Sequence, residues 1–444
     1  MSNRSTKKAS IVVAMAAILL VTLIVLLTQP GSTMRKQSNN IQLEPSEKAT
    51  LKQLQEQGIK YFIDNQLPNG LVLDRQANMG TPTFNGWIST SATGMGFMAI
   101  AIASSPDHHM LTHAQAVARI RKGIQTSLKL HSDHGLMPHF LDATTMKPIG
   151  QDNISTIDSG WLIAGALLSA EYLDDDGLRA LADKLYQRVD WAYWGTQTPD
   201  GIQLAMGADA TGKKLPVQYD RYDSEAAVLY MLAFGADNGT NIPAENWFKL
   251  SLKPGVVAGI QVTNYDLGLF AFQFGGSLID YNRLPLHGMP DLNREHNKAA
   301  LANFAACREA SKQYKTFERY WGLSAGDGPP DAPGGADVYR VYAPQEIDGT
   351  AHITASLASI EQVPELVLGN IKAAEAETQL KAHGRYGYSN INVDKNWVSH
   401  DVVGIDIGAA VMALENELYK QRMRTVWHKT AVMQRALRRL KAVK

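Results

Sequence analysis

Several segments of this chain are apolar on every side of a helix, yet they are too short to cross a membrane. Two examples are DSGWLIAGALLSA (158–170) and HDVVGIDIGAAVMALEN (400–416), and both are rich in small residues. Each is shorter than the roughly 20 residues that a membrane-spanning helix needs. A helix without a polar face must be buried on all sides by other protein. We therefore expect an inner layer of helices that is enclosed by an outer layer.

Helical periodicity also dominates the rest of the chain from about residue 48. The predicted helices are 48–65, 90–104, 113–131, 156–173, 177–194, 222–235, 243–252, 294–314, 350–360, 363–380 and 402–422. Eleven helices fit six helical hairpins within the usual uncertainty of segment boundaries. We predict an all-α domain over residues 48–420, an (α/α)6 toroid of two concentric helix layers. The N-terminal ends of its inner helices would open on one cleft.

The N-terminal segment has the pattern of a membrane anchor. Residues 11–27 are uncharged and apolar, and the preceding segment 1–10 is basic. The run exceeds a usual secretory core and no clear cleavage site follows, so we predict a signal anchor over 11–28. The basic flank predicts a cytoplasmic N-terminus at the inner membrane, with the body in the periplasm. The alternative is a signal peptide that is cleaved before secretion. Polar residues 29–47 are interpreted as a linker.

Charge is unevenly distributed, although the formal net charge of the 444 residues is zero. Residues 1–36 and 418–444 contain basic residues and no acids, which leaves 29 basic and 43 acidic residues in 37–417. An acidic body argues against nucleic acid as a partner. At the C-terminus, residues 421–444 predict a basic helix or tail. This segment either lies on an anionic membrane surface or packs on the body.

The common signatures of metal and cofactor sites are missing. The single cysteine, Cys307, excludes an internal disulfide and a cysteine-rich metal site. The sequence contains no HExxH, GxxxxGK[ST] or GxSxG, and GMGFMA lacks the βαβ context of a dinucleotide fingerprint. We therefore predict neither a metal ion nor a cofactor.

Acids and aromatic residues together indicate a carbohydrate site. The stretch WGLSAGDGPPDAPGGADVYRVYAPQEIDGT (321–350) places both types in an irregular Gly/Pro-rich segment. Aromatic faces stack on pyranose rings and carboxylates transfer protons, so this composition is typical of a sugar-cleaving loop. Acids also stand at the start of three buried helices, where free N–H groups and the positive dipole end face a cleft. These acids are Asp158, Glu225 and Asp406.

The remaining candidates would bind sugar without transferring a proton. They are Trp87, Gln273, Trp321, Asp327, Glu346, Asp348, Trp397 and Asp401. Structural alternatives stay open for several of them. Asp158, Glu225 and Asp401 could each stabilise a helix start as a capping carboxylate. The glycines at Gly94 and Gly96 are interpreted as sites of close helix packing.

Nine segments, in this order, resemble the glycoamylase-like family, which includes glycoside hydrolase family 144 endo-β-1,2-glucanases and the related domain of cyclic β-1,2-glucan synthases. They are NGLVLDR (69–75), STSATGMGFMAIAIA (89–103), GLMPHFLD (135–142), STIDSGWLIAGALLSAEYL (155–173), ALADKLYQRVDWAYW (180–194), YDSEAAVLYMLAFGA (222–236), WGLSAGDGPP (321–330), DGTAHITASLASI (348–360) and WVSHDVVGIDIGAAVMALEN (397–416). The resemblance implies an (α/α)6 toroid that hydrolyses β-linked glucan with inversion.

The resemblance also implies roles for particular acids. By motif position, Asp158, Glu225, Asp327, Glu346, Asp348 and Asp406 look like the family's cleft acids. Glu225 would be the general acid, and either Asp158 or Asp406 would be the base that activates water. Around Gln273 the chain reads FQFGGSLIDYNRL, where the family often carries His, aromatic and Arg positions. The linkage specificity is therefore not settled by the resemblance.

The leading hypothesis is a membrane-anchored glycoside hydrolase that cleaves β-1,2-glucan or a similar β-glucan internally. A second hypothesis is a catalytically inactive glycan-binding subunit of a polysaccharide synthesis or export system. A third is a glycosidase or a lyase that acts on another exopolysaccharide, because toroids host several chemistries. The expected partners are therefore a polysaccharide, the inner membrane and, in the second hypothesis, the export machinery.

Overall fold

The computed structural model describes residues 43–82, 86–150 and 154–444, and residues Pro45–Lys444 form one unit. The predicted basic N-terminus at 1–10, the anchor at 11–28 and most of the predicted linker lie outside the described residues. Among the residues that are described, no helix combines the length and the apolar character needed to cross a membrane.

Fourteen α-helices and three short 3-10 helices lie in the described part of the chain. The α-helices are α1 Pro45–Asn65, α2 Thr90–Ala103, α3 His113–Ser127, α4 Thr156–Tyr172, α5 Asp176–Gln187, α6 Trp191–Trp194, α7 Ala227–Gly235, α8 Leu269–Leu278, α9 Leu292–Ala310, α10 Ile353–Leu357, α11 Pro364–Glu375, α12 Gly404–Leu418, α13 Arg422–Trp427 and α14 Ala431–Ala442. The 3-10 helices are Ala244–Lys249, Tyr281–Arg283 and Lys315–Glu318.

Six of these helices form a closed inner ring. In order around the ring they are α2, α4, α7, α8, α10 and α12, and α12 packs back against α2. Every residue of α2, α7 and α10 is buried, and α4, α8 and α12 are buried along most of their length. Helices α1, α3, α5, α9, α11 and α14 pack outside this ring. The two concentric layers predicted from the all-round apolar segments are therefore present in the described residues.

Glycines allow two inner helices to approach to backbone contact. A Cβ atom on Gly94 of α2 would lie 2.2 Å from the carbonyl oxygen of Trp161 on α4. A Cβ atom on Gly165 of α4 would lie 2.1 Å from the carbonyl oxygen of Gly94. Both distances are far below van der Waals contact, so these positions exclude any side chain. The interpretation of Gly94 as a packing glycine is confirmed.

Two helix predictions are wrong in informative ways. A helix was predicted at 243–252, but the structure has a short 3-10 helix there, at Ala244–Lys249. No helix was predicted at Leu269–Leu278, where the structure has an inner helix. The segment LFAFQFGGSL contains aromatics and paired glycines, which have low helix propensity. Its helix therefore depends on burial within the ring.

The basic C-terminal segment lies in the same unit as the rest of the helices. The apolar face of α14 is buried and packs on α7. Arg435 donates to the carbonyl oxygen of Gly235 at 2.7 Å, and Arg439 donates to those of Phe234 and Ala236. Arginines thus satisfy the free carbonyls at the C-terminal end of α7. Of the two alternatives for this segment, packing on the body is the one observed.

Short antiparallel strands form the connections around the ring. They are β1 Arg75–Ala77, β2 Trp87–Ser89, β3 Phe140–Asp142, β4 Pro148–Ile149, β5 Ile154–Ser155, β6 Gly195–Thr198, β7 Gly201–Ala205, β8 Gly207–Ala208, β9 Gln218–Tyr219, β10 Gly255–Val257, β11 Ile260–Val262, β12 Ala325–Gly328, β13 Val338–Val341, β14 His383–Gly384, β15 Gly387–Tyr388, β16 Ile391–Asn392, β17 Trp397–Val398 and β18 Asp401–Val403. Strands β2, β5 and β18 lead directly into inner helices α2, α4 and α12. They therefore place loop residues at the ends where the inner helices begin.

Candidate active site

Acids from three inner-helix starts meet at one end of the ring. Asp158 lies in the first turn of α4, Glu225 lies two residues before α7, and Asp406 lies in the first turn of α12. Burial is the largest cause of the raised pKa of Glu225, Asp74 and Asp406. The charge of Asp158 further raises the pKa of Glu225 and of Asp74, and the charge of Asp74 further raises the pKa of Asp406. Each of the three acids therefore lies within electrostatic range of another acid, as expected if the three helix starts face a common space.

Glu225 has the protonation behaviour of a general acid. Burial is the main cause that raises its pKa from 4.5 to about 7, and the charge of Asp158 adds to the effect. Burial disfavours the charged form of a carboxyl because that form loses its hydration. The side chain is half-buried and so keeps an accessible face. A carboxyl of this kind carries a transferable proton close to neutral pH.

Asp406 binds a proton even more tightly. Burial first, and then the charges of Asp327 and Asp74, raise its pKa from 3.8 to about 8, against the opposing effect of Arg75. The residue is half-buried, so one side remains open. At neutral pH this carboxyl is mostly protonated in the free protein.

Asp158 is held by contacts that orient its carboxylate. Ser155, the N-cap of α4, accepts a hydrogen bond from the Asp158 backbone N–H, and its hydroxyl donates to Oδ2 of Asp158. His139 Nε2 lies 3.5 Å from the same oxygen. The side chain is 7% exposed. Ser155 is therefore the cap of α4, and Asp158 lies in the first turn with its carboxylate held by the Ser155 hydroxyl beside His139.

A partly buried arginine connects two further acids to this space. Arg75 donates to Oδ2 of Asp74 at 3.0 Å and to the two carboxylate oxygens of Asp327 at 2.9 and 3.1 Å. Burial by itself would lower the pKa of Arg75, but the two acids outweigh burial and raise it. Strand β1 pairs with β18, so Arg75 lies opposite Val403, directly before α12. This arrangement places the Asp74–Arg75–Asp327 cluster beside Asp406.

Asp74 and Arg75 were not among the predicted site residues, although both end the segment NGLVLDR (69–75). The available signal was an Asp–Arg pair that directly follows an apolar run. Such a pair is unusual for a buried position unless its charges are paired with each other or with a third group.

An aromatic strip leads from Asp158 to the surface. The ring of His139 stacks on Phe140 with centroids 3.7 Å apart, and the ring of Phe140 lies 5.6 Å from that of Trp87. Trp87 is 47% exposed, which is high for so large an apolar side chain. Its backbone carbonyl accepts a hydrogen bond from Asp74 at 2.8 Å. Trp87 therefore lies at the exposed end of this aromatic strip, and its backbone is linked to Asp74.

Tyr339 also lies within electrostatic range of these acids. It lies on β13, directly across from Asp327 on β12, and is 43% exposed. Its phenol interacts electrostatically with Asp406, Asp74, Glu225 and Asp327. Tyr339 was not among the predicted sugar-binding residues, because nothing in the segment VYRVY (338–342) distinguishes its two tyrosines from each other.

Two predicted sugar-binding residues are placed elsewhere. Trp321 is completely buried, lies edge-on to Phe304 and donates from its indole N–H to the carbonyl oxygen of Leu366 at 3.1 Å. It is a core residue, so its predicted role is wrong. Gln273 is also wrong as a cleft residue: it is buried on α8, and its amide group donates to Ala355 and Ser359 of the neighbouring inner segment.

The other four predicted residues lie around the cluster or away from it. Asp401 lies on β18 with Oδ1 2.6 Å from Nδ1 of His400, and its charge reaches Asp327. Asp348 accepts from the Tyr342 hydroxyl at 3.3 Å and from the Thr350 backbone.

Trp397 and Glu346 occupy the remaining positions. The indole N–H of Trp397 donates to Asp337 at 2.8 Å, which connects β17 to the loop between β12 and β13. Glu346 is exposed in a turn that closes onto Ala343. No contact brings Glu346 or Asp348 to Glu225 among the residues described. Within those residues, no group of three histidine, cysteine or acidic side chains is arranged to hold a metal ion.

The chain is similar to known proteins in sequence and in fold. The family model "Glycoamylase: Putative glucoamylase" matches residues 216–431, which include Glu225, Asp327, Tyr339 and Asp406. The resemblance to the glycoamylase-like family is thereby confirmed. A curated exo β-1,2-glucooligosaccharide sophorohydrolase (non-reducing end) of Parabacteroides distasonis is 24% identical over 415 residues. The match covers 82% of this chain and 54% of that protein, so the chain spans about half the length of this relative.

Solved structures share the fold of this chain. An endo-β-1,2-glucanase from Chitinophaga pinensis, in complex with sophorotriose and glucose, has a TM-score of 0.76 at 21% identity, covering 88% of this chain and 97% of that one. A β-1,2-glucanase from Parabacteroides distasonis has a TM-score of 0.76 at 20% identity, covering 90% of this chain and 60% of that one. At these identities the likeness establishes the fold.

Proposed function

We propose that this protein is a glycoside hydrolase that cleaves β-1,2-glucan within the chain by an inverting acid/base mechanism. The observation that carries the proposal is the half-buried Glu225, which holds a proton near neutral pH beside Asp158. Support for the substrate comes from the relatives, whose names describe hydrolases of β-1,2-linked glucose polymers or oligosaccharides. The exposed face of Trp87 supplies the stacking surface that a glucose ring needs.

In this mechanism Glu225 donates its proton to the glycosidic oxygen as the bond to the anomeric carbon breaks. A water molecule attacks the anomeric carbon from the opposite face and loses a proton to the base. The products are a new reducing end with inverted anomeric configuration and the released sugar hydroxyl. The base is Asp158 or Asp406. Asp158 is favoured in the free protein because Asp406, with a pKa of about 8, is mostly protonated at neutral pH.

The same protonation behaviour also favours a second function. If both Glu225 and Asp406 stay protonated and Asp158 serves only to hold Ser155 at the start of α4, the cleft has hydrogen-bond donors but no base. Such a cleft would bind glucan without cleaving it, as expected for a subunit of a polysaccharide synthesis or export system.

The deciding experiment uses the full chain in detergent with β-1,2-, β-1,3- and β-1,4-glucans, and measures new reducing ends and product sizes. Mixed oligosaccharides from β-1,2-glucan support internal cleavage, whereas a single disaccharide product would indicate action from a chain end. Glu225→Gln should reduce kcat about 10²- to 10⁴-fold, the usual contribution of a general acid. The matched control is Glu245→Gln, which changes an exposed acid in the same way.

The pH profile gives a second readout of the same assignment. A proton donor with a pKa of about 7 is about 90% protonated at pH 6 and about 10% protonated at pH 8. The value of kcat/KM should therefore fall about tenfold between these pH values, and this limb should be missing from residual Glu225→Gln activity. Binding of β-1,2-glucan without any new reducing ends would refute the hydrolase and support the binding subunit.

We also propose that residues 11–28 anchor the enzyme in the inner membrane and leave the helical unit in the periplasm. The support is the uncharged run with its basic flank. Alkaline extraction of membranes tests this location. Release of the protein into the soluble fraction, or a mature N-terminus beyond residue 28, would contradict the anchor.

A further inference from the structure

The hairpin β12–β13 places two side chains on one face above the acids. Asp327 and Tyr339 are directly opposite each other in the antiparallel register. Residues in that relation project from the same face of a sheet. Because Asp327 contacts Arg75 at 2.9 Å, Tyr339 is directed to the side of the hairpin that faces the acid cluster. With 43% of its surface exposed, Tyr339 also remains accessible to a ligand.

The hairpin is held rigidly enough to position a side chain. Asp337, in the loop before β13, accepts from the indole N–H of Trp397 at 2.8 Å and from the backbone N–H of His400 at 3.3 Å. Arg340, next to Tyr339, donates to the carbonyl oxygen of Pro329 at 3.0 Å, across the same loop. These contacts connect the hairpin to strands β17 and β18, and β18 leads directly into α12 and Asp406. The position of Tyr339 relative to Asp406 is therefore set on both sides.

The chemistry of the phenol suits a hydrogen-bond donor. Burial first, and then the charges of Asp406, Asp74, Glu225 and Asp327, raise the pKa of Tyr339 well above 10. The hydroxyl thus keeps its hydrogen at any pH at which the acids function. A neutral hydroxyl among carboxyl groups can donate to a sugar oxygen without adding charge, and its ring offers an apolar face to the same sugar.

Building on the proposed function, we propose that Tyr339 is a positioning residue for the glucose unit at the point of cleavage. Its hydroxyl donates a hydrogen bond to that sugar, and its ring packs against the sugar's apolar face. The sugar would then lie between Tyr339 on one side and the aromatic strip ending in Trp87 on the other. This placement brings the glycosidic oxygen to Glu225.

The test separates the hydroxyl from the ring in the full chain. Tyr339→Phe should reduce kcat about 3- to 30-fold on β-1,2-glucan with KM changed less than twofold, because one hydrogen bond is lost and the ring stays. Tyr339→Ala should show the same loss in kcat and a KM raised about tenfold. Tyr193→Phe is the matched control, since this tyrosine stacks on His134 and the acid whose charge acts on it is Asp133. Unfolding midpoints of all variants should match that of the wild type.

Each outcome decides the proposal. Wild-type kinetics in Tyr339→Phe would overturn the hydrogen bond, and wild-type kinetics in Tyr339→Ala would overturn any contact with the sugar. If the wild-type protein cleaves no glucan, the proposed function fails, and the inference is then judged by calorimetric binding of β-1,2-linked gluco-oligosaccharides. A dissociation constant raised about tenfold in Tyr339→Ala would support the contact, and an unchanged value would refute it.

Discussion

Replacing Asp406 with asparagine should stabilise the protein at alkaline pH relative to the wild type. Burial, together with Asp327 and Asp74, raises the pKa of Asp406 from 3.8 to about 8 in the folded protein. A carboxyl whose pKa is raised on folding contributes stability that is complete below its unfolded pKa of about 4. That contribution is lost as the pH rises through about 8. Asparagine resembles the protonated acid and has no charged form, so it escapes this loss.

The magnitude follows from the size of the pKa change. At about 1.36 kcal/mol for each pH unit, the full change corresponds to roughly 5–6 kcal/mol, of which about half falls between pH 6 and pH 9. Because Asp406 is open to the cleft on one side, water screens its charge and reduces this amount. We therefore expect the wild type to lose about 1–2 kcal/mol more than Asp406→Asn over this interval.

The measurement is urea unfolding at pH 6 and at pH 9 for the wild type, Asp406→Asn and Asp200→Asn. Asp200 is exposed in a turn, so its asparagine variant controls for the loss of one negative charge. Both the wild type and Asp200→Asn should lose stability at pH 9 relative to Asp406→Asn. Equal losses in all three proteins would refute the argument that burial in the cleft controls the proton of Asp406.

Two further predictions concern the packing that supports the cleft. Arg75→Met should lower the free energy of unfolding, measured in urea, by about 3–5 kcal/mol, because Asp327 would be left buried without its partner. The control, Lys253→Met, removes an exposed ion pair and should lower it by less than about 1 kcal/mol. Similar losses in both would contradict this prediction. Gly94→Ala should lower the unfolding midpoint strongly, because the added Cβ would lie 2.2 Å from a backbone oxygen. The control, Gly369→Ala, adds a Cβ at a helical position with no other atom within 4 Å, so it should leave the midpoint unchanged or raise it. A tolerated Gly94→Ala would show that α2 and α4 can separate.

The positions of three acids could be predicted because each depends on a local pattern. A single acid before an otherwise apolar helix marks the helix start, and the starts of buried helices can only meet where the ring is open. Asp158, Glu225 and Asp406 follow this rule. The raised pKa values of Glu225 and Asp406 could not be predicted, because a pKa depends on neighbours that are distant in the sequence, such as Asp327 beside Asp406.

The aromatic residues show the opposite case. Trp321 and Tyr339 lie in the same Gly/Pro-rich stretch, and composition alone made the tryptophan the stronger candidate for sugar binding. The structure buries Trp321 against Phe304 and exposes Tyr339 beside the acids. The direction of the Tyr339 side chain depends on the pairing register of β12 with β13. That register cannot be read from the sequence of a short irregular segment.

The sequence by itself determined the layered helical architecture, because helices without a polar face have no stable position except between other helices. It also determined that acids would stand at the open end of the ring. Only the tertiary structure decided that Asp74 and Arg75 join Asp327, that Tyr339 overlies the acids, and that the C-terminal helix completes the outer layer. These features depend on contacts between segments up to about 250 residues apart, such as Arg75 with Asp327. Local periodicity carries no information about such contacts, because their free energy arises only after the ring has closed.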